Sequence, residues 1–136
     1  MKYMLLVYLD EHALSDAERQ KCYHDSAGLA RDLNARGNYI DASPLELTAT
    51  ATSLRIRGGK RLVTDGPFAE TREQLGGYYL IDAKDLDEAI GIAARVPVAN
   101  VGTIEIRPVM QISGLPGDEP KLESPAGNTK QAAHRG

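Results

Sequence analysis

The sequence predicts an α+β fold in which two helices lie on one face of a mostly antiparallel sheet. Two observations lead to this prediction. Strand-like and helix-like runs follow in the order strand, helix, strand, hairpin, strand, helix, strand, and a capping box opens the first helix-like run while acidic residues open the second. Helices on a single face leave the other face of the sheet bare, and a second copy of the chain is an economical cover. We therefore expect a homodimer.

The first strand and the first helix have the clearest patterns. Lys2 to Leu9 is a short, continuous apolar run, which is typical of a strand buried on both faces. Ser15 and Glu18 form a capping box, in which two side-chain contacts satisfy backbone donors at a helix start. Gly37 supplies a left-handed stop, so we expect a helix from about residue 16 to 36. Its apolar stripe runs at spacings of four, three and four residues: Cys22, Ser26, Leu29 and Leu33.

Two strands joined by a tight turn are predicted in the middle of the chain. A separate strand, Tyr39 to Ala42, precedes them and ends at Ser43-Pro44. Thr50 to Arg57 alternates apolar and charged residues, as a half-buried strand does. Gly58-Gly59 then provides a two-residue turn, and Lys60 to Thr64 returns as the partner strand.

The last third of the body repeats the pattern of strand, helix and strand. Gly77 to Ala83 is a strand, and the acids of Asp85-Leu86-Asp87-Glu88 lie at the positive end of a second helix that Pro97 stops. The buried side of this helix consists of apolar residues: Ala89, Ile92, Ala93 and Val96. Thr103 to Met110 is the final strand, and Pro108 indicates a sheet edge or the strand's end. The order of elements is that of a ferredoxin-like sandwich.

Length and charge limit the classes of protein that remain. A chain of 136 residues suits one domain, with a folded body at 1–112 and a Pro- and Gly-rich tail at 113–136 that we expect to be disordered. The formal net charge of −3 disfavours binding to nucleic acid or to an anionic membrane. The N-terminal apolar run is too short for a signal peptide or a membrane span. We expect a soluble, cytoplasmic protein.

The cysteine and histidine content gives no indication of a metal site. A single Cys22 excludes an internal disulfide and a multi-cysteine zinc site. The histidines His12, His24 and His134 are scattered, without the spacing that two ligands on one helix need. We expect neither a metal nor a cofactor.

The most unusual stretch is Asp65-Gly66-Pro67-Phe68, which lies between two strand-like runs. Each residue has a structural role to offer, since Asp bonds turn amides, Gly permits positive φ and Pro fixes the next φ. Phe68, the only phenylalanine, would then fill an apolar gap. Polar residues follow at once in Glu70 to Glu73, and loops on rigid scaffolds often carry function. We expect the loop to line a ligand cleft as well as to shape the turn.

Around this loop the chain resembles the YCII-related, DGPF-domain family. The resemblance spans about residues 1 to 112. It is carried by five segments: MKYMLL at 1–6, TATATSLRIR at 48–57, LVTDGPFAETREQLGGYYLID at 62–82, DLDEAI at 85–90 and GTIEIRPV at 102–109.

The resemblance implies a dimeric ferredoxin-like α+β barrel and says less about activity, since most DGPF proteins have none assigned. The superfamily is associated with a His on the first helix and an Asp just before a Pro after the second helix, a pair suited to proton transfer. One relative type is a dehydrochlorinase that acts on chlorinated aromatic hydroxyquinones. Here Val96 precedes Pro97, and His24 lies away from the apolar stripe, so it should face solvent. The dyad is therefore not carried over.

These observations predict a protein that binds a small molecule near the DGPF loop, with lyase-like or isomerase-like chemistry if it is an enzyme. The expected ligand-binding residues follow the loop and the next strand: Asp65, Phe68, Glu70, Thr71, Arg72 and Tyr78. Asp65 and Glu70 are the candidates for catalysis. Family members are often encoded beside extracytoplasmic-function sigma factors, so the alternative is a non-enzymatic interaction or regulatory module linked to such a factor.

The sequence also predicts which way the side chains of two further groups of residues face. Tyr78 and Tyr79 are adjacent on one strand, so one faces the core and the other faces away. Three arginines, Arg55, Arg57 and Arg107, would bind an anion if their strands shared a face. We expect the alternative, a solvated or ion-paired face, with Glu105 as a partner.

Overall fold

The main sheet consists of four antiparallel strands in the order β2-β5-β1-β6, and a separate hairpin pairs β3 with β4. A computed structural model describes residues 1–117 of the chain. The strands are β1 (Lys2–Leu9), β2 (Tyr39–Pro44), β3 (Thr52–Arg57), β4 (Lys60–Asp65), β5 (Gln74–Asp82) and β6 (Thr103–Pro108). The helices are α1 (Asp16–Arg36) and α2 (Leu86–Ala93), and short 3-10 turns span Thr48–Thr50 and Pro97–Asn100. The predicted α+β, ferredoxin-like arrangement is confirmed.

Helix α1 begins at the capping box that the sequence predicts, and α2 begins at the acidic segment predicted to open it. The hydroxyl of Ser15 accepts from the Glu18 amide at 3.1 Å, and the Glu18 carboxylate accepts from the Ser15 amide at 2.8 Å. Gly37 ends α1 at φ 84°, a left-handed conformation that a glycine adopts without strain. Asp85 caps α2 by accepting from the Glu88 amide at 2.9 Å. Helix α2 ends at Ala93, before the proline that was predicted to stop it, and Pro97 instead begins a 3-10 turn.

The core lies on one side of the four-stranded sheet, beneath the two helices. Alternate residues of the central strand β1 are buried, and α1 adds Leu29 and Leu33. The other face of β1 is only half-buried, so the prediction of burial on both faces is wrong for the single chain. Apolar and tyrosine side chains occupy the middle of this outer face: Met4, Leu6, Tyr8, Tyr78 and Leu80. Buried residues of both helices belong to the same core cluster as the buried residues of β1 and β5, so both helices pack against the same face of the sheet.

The β3–β4 hairpin stands apart from the main sheet. Its strands contact chiefly each other, and the turn at Gly58 and Gly59 has the positive φ values of 58° and 77° that the glycine pair predicts. Leu54 and Ile56 are 57% and 59% exposed, although an alternating strand usually buries its apolar side. The hairpin's apolar residues therefore contribute nothing to the core of the single chain.

The C-terminal boundary of the fold is described as far as Gly117. Strand β6 is an edge strand and ends at Pro108, as the proline predicts. Residues 113–117 are exposed, while 118–136 lie outside the described residues, so the predicted disorder of the tail stays a prediction. Within residues 1–117, neither helix is long and apolar enough to span a membrane.

Candidate functional site

A cleft of about 330 Å³ lies between α1 and the β2 edge of the sheet. Most of its wall is apolar or small, because α1 presents short side chains to the sheet at this point. The helix contributes Tyr23, Ser26, Ala27, Ala30 and Arg31, while the sheet and the segment after α2 contribute Val7, Ala42, Ser43, Pro44, Gly77, Tyr78, Tyr79 and Val96. A helix with alanines at these positions cannot fill the space above the strands, and the cleft is the result.

Gly77 and Tyr79 fix the width of the cleft. A β-carbon on Gly77 would lie 3.0 Å from the carbonyl oxygen of Ser43 and 3.2 Å from Cα of Pro44, so β2 and β5 approach closely only because residue 77 is glycine. The Tyr79 hydroxyl donates to the backbone carbonyl of Ser26 at 3.3 Å and joins the sheet to α1. Burial raises the pKa of Tyr79, so this phenol stays protonated and remains a donor.

Arg31 is the charged residue of this cleft. Its guanidinium has no hydrogen-bond or ion-pair partner within residues 1–117, whereas Arg36 and Arg95 both bind Asp32. An arginine carries its charge at every physiological pH and binds carboxylates in a two-point geometry. The cleft thus combines an apolar interior with one unused cation. Sequence reasoning did not single out Arg31; the small residues beside it, at positions 26, 27 and 30, were the available signal.

A second depression, a groove of about 570 Å³, runs along the opposite side of α1. Its charged groups already have partners. Lys21 binds Asp25 at 2.8 Å, Glu18 belongs to the capping box and Arg95 binds Asp32 at 2.7 Å. Cys22 also lines the groove and is partly exposed. Although this groove is larger, its charged groups are already paired with other groups of the fold, so the smaller cleft is the better candidate site.

The cleft contains the position at which the superfamily pattern places its acid. Val96, directly before Pro97, is 1% exposed and forms part of the cleft wall. His24 is exposed on α1 and does not line the cleft, as its place on the helix predicts. Positions 24 and 96 therefore do not supply the His and Asp of the superfamily's proton-transfer pair to the cleft.

The YCII-related domain family matches residues 1–113. The chain belongs to the YCII-related family. It is also 40% identical over 114 residues to an uncharacterized protein of Rhizobium meliloti (strain 1021), an alignment that covers 80% of this chain and 92% of that protein. The match includes all of β1 to β6, so the family assignment applies to the whole fold described above.

Tyr78 and Tyr79 of this YCII-related chain point to opposite faces, as predicted. Tyr79 is 5% exposed in the core, and Tyr78 lies on the outer face, where its hydroxyl donates to the Asp41 carboxylate at 2.8 Å. That hydrogen bond, with a smaller contribution from burial, raises the pKa of Tyr78. Tyr8 forms a similar pair with Glu105 at 3.3 Å, and its pKa is raised by burial and then by the Glu105 charge. Both phenols are donors at neutral pH.

The DGPF loop is held by its backbone rather than by its aspartate. The Gly66 amide donates to the Ala51 carbonyl at 2.7 Å, and the Ser53 hydroxyl donates to the Gly66 carbonyl at 2.8 Å. The expected bonds from the Asp65 carboxylate to turn amides are not found within residues 1–117, where that carboxylate has no partner. Phe68 is 81% exposed, so the expectation that it fills an apolar gap is wrong.

This geometry predicts different costs for two substitutions in the loop. Asp65→Ala should change the free energy of unfolding by less than about 0.5 kcal/mol, because an exposed side chain without partners is removed. Gly66→Ala should cost about 1–2 kcal/mol because Gly66 has φ +99°, although the added carbon meets no atom within 4 Å. Urea denaturation of the two variants measures both values. Equal losses would mean that Asp65 supports the turn after all.

The second half of the loop is anchored to the end of β1. The Gln74 amide nitrogen donates to the Thr71 carbonyl, and its oxygen accepts from the Glu11 amide at 2.9 Å. The Glu11 carboxylate in turn accepts from the hydroxyl and the amide of Thr48 at 2.7 and 2.8 Å. Sequence reasoning missed Glu11 and Gln74, because neither lies in a local motif and they are 63 positions apart.

The predicted ligand residues therefore do not form one cleft within a single chain. Tyr78 lines the cleft, whereas Asp65, Phe68, Glu70, Thr71 and Arg72 do not. The arginine trio also separates, since Arg55 and Arg57 lie on the hairpin and Arg107 lies on β6, 3.8 Å from Glu105. Within the described residues, no group of three or more His, Cys, Asp or Glu side chains is placed to hold a metal ion.

Proposed function

We propose that the protein binds a small apolar molecule with a carboxylate group in the cleft between α1 and the β2 edge. The observation that carries this proposal is the guanidinium of Arg31, which lines an otherwise apolar cleft and has no partner within residues 1–117. A ligand that pairs with it offsets the desolvation of both charges and buries its apolar part against Ala30, Ala42 and Tyr79.

Binding rather than proton transfer suits the cleft wall. Val96 gives an apolar contact where the superfamily pattern has an acid, and the Tyr79 hydroxyl is engaged with the Ser26 carbonyl. The Ser26 hydroxyl remains as a neutral group that orients a ligand. The Tyr78 hydroxyl binds the Asp41 carboxylate on the outer face of the sheet, so it does not serve the cleft. Within the described part of the chain, the residues that line the cleft include no Asp, Glu or His that could act as the base in general acid-base catalysis.

The test is a calorimetric comparison of branched-chain and aromatic carboxylates, each with its own primary amide. The acids should bind about tenfold or more tightly than the amides, because a charge-assisted hydrogen bond contributes about 1.5–3 kcal/mol. Arg31→Gln should remove that difference while leaving the affinity for the amides unchanged. Ala30→Leu, which fills the cleft, should weaken both classes.

Arg72→Gln serves as the matched variant in the DGPF loop, where Arg72 also has no side-chain partner within the described residues. It should leave both affinities unchanged. If Arg72→Gln and not Arg31→Gln removes the preference for acids, the ligand binds at the loop and the cleft proposal is wrong.

We also propose that two copies of the chain pair through the outer face of the main sheet. Support comes from the half-buried residues Met4, Leu6 and Leu80, which lie side by side on β1 and β5. The two tyrosine–carboxylate pairs flank this apolar strip and would give the interface a polar rim. Sedimentation of the full chain as a monomer at micromolar concentration would contradict this arrangement.

A further inference from the structure

The β3–β4 hairpin has one apolar side that nothing in the described chain covers. Leu54 lies opposite Val63 in the register, and Ile56 lies on the same side. Leu54 is 57% exposed, Val63 is 58% exposed and Ile56 is 59% exposed. Because they are neighbours on one face, they form a continuous apolar strip rather than scattered surface residues.

An isolated hairpin of this kind needs a partner to be stable. Two strands alone are marginal in water, and β3 and β4 contact chiefly each other. Each strand has six residues and is therefore roughly 20 Å long. The exposed apolar strip along this hairpin offers a contact that would stabilise it.

Charge indicates what the partner is. The hairpin carries four cations, Arg55, Arg57, Lys60 and Arg61, and a single acid, Asp65. Since the whole chain has a formal net charge of −3, the hairpin is +3 and the remainder of the chain is −6. A basic arm on an acidic body is complementary to the body of another copy of the same chain. Arg61 lies on the same side as the apolar strip, opposite Ile56, whereas Arg55, Arg57 and Lys60 lie on the other side with Leu62. A side that is mostly apolar suits a protein surface better than a phosphate backbone.

We infer that the β3–β4 hairpin of one protomer docks on the acidic body of a second copy, with Leu54, Ile56 and Val63 against it. The inference shares the homodimer with the sheet-face proposal but concerns a different surface. Substitutions in the two surfaces therefore test them separately.

The first experiment places a photo-cross-linking residue at position 56 or, as the matched control, at position 62. Leu62 lies on the opposite side of the hairpin, across from Arg55. Tagged and untagged full chains are mixed before irradiation, so a link between copies gives a product that carries one tag. Position 56 should link to the body of the second copy, and position 62 should do so much less. Links from position 56 only to its own chain, or to no protein, overturn the inference.

The second experiment measures the dimer dissociation constant by sedimentation equilibrium. Ile56→Asp should raise it at least about tenfold, as loss of a well-buried interface residue does. Leu62→Asp should change it by less than about threefold, and added salt should weaken the dimer because the arm is cationic. Circular dichroism should show that both variants remain folded, since both positions are exposed.

Leu6→Asp separates this inference from the sheet-face proposal. If Leu6→Asp is monomeric and Ile56→Asp dimerises as tightly as the unmodified chain, the hairpin inference is wrong and the sheet face stands. If Ile56→Asp weakens the dimer and Leu6→Asp does not, the hairpin docks and the sheet-face proposal is wrong. If both substitutions weaken the dimer, both the hairpin contact and the sheet-face contact are supported.

Discussion

Gly102→Ala should destabilise the protein by more than about 3 kcal/mol, because the new methyl group has no space. A β-carbon at this position would overlap the carbonyl oxygen of Tyr8 and lie 2.9 Å from Cγ1 of Val98 and 3.2 Å from Cα of Leu9. Two of these atoms belong to the backbone of the central strand, so they cannot turn aside as a flexible side chain does. The Gly102 amide also donates to the Val98 carbonyl at 2.7 Å, which holds the residue in place.

Gly91→Ala is the matched control, since it makes the same chemical change in α2. A β-carbon there meets no atom within 4 Å, and the residue has ordinary helical geometry. Alanine should therefore stabilise the helix by about 0.5–1 kcal/mol. Chemical denaturation of both variants compares the two free energies of unfolding. An unchanged midpoint for Gly102→Ala would show that β1 and the start of β6 are further apart than described.

Val96→Asp should also cost more than about 3 kcal/mol at neutral pH, because it buries a charge without a partner. Val96 is 1% exposed, and within residues 1–117 none of the other residues lining the cleft except Arg31 is charged. Val96→Ala controls for the lost volume and should cost about 1–2.5 kcal/mol. The free energy of unfolding that the aspartate variant loses beyond the loss in the alanine variant measures the cost of burying the charge.

The cost of the introduced aspartate should depend on pH in a defined direction. Burial raises the pKa of a carboxyl group above its unfolded value of about 3.9. Between the two pKa values the folded state holds the proton that the unfolded state has lost, so stability falls as the pH rises through this interval. Below about pH 4 both states are protonated and the charge penalty is absent. A loss that does not depend on pH would mean that the carboxyl group reaches solvent and keeps its ordinary pKa. Pairing with Arg31 would lower that pKa, and stability would then fall as the pH drops.

Local patterns predicted the fold well because each element carries its own boundary signals. The capping box at Ser15 and the left-handed Gly37 gave the limits of α1 as Asp16–Arg36. The glycine pair at 58 and 59 located the turn between β3 and β4. Local patterns do not show which strands join which sheet. The alternation of Leu54 and Ile56 looks the same on a free hairpin as in a covered sheet, so their exposure was not foreseen.

The candidate site was harder to predict because it depends on distances between elements. The DGPF loop attracts notice by its composition, yet its charged and aromatic side chains face solvent in the single chain. The cleft forms where α1 places small residues above the sheet. Whether the cleft can bind an anionic ligand depends on whether the Arg31 guanidinium is paired with another residue, and the sequence does not show this. The absence of the acid at Val96 was visible in the sequence, but only the structure places that residue in the cleft wall.

The position of β1 in the sheet determines when the protein can fold during synthesis. This strand is made before both of its neighbours, β5 and β6, which begin at Gln74 and Thr103. The ribosome must therefore release most of the body before the central strand has any partner, while α1 and the β3–β4 hairpin form from local contacts alone. Until then the apolar run of β1 stays exposed on the nascent chain. Slow synthesis of the second half would lengthen that exposure and favour binding by chaperones.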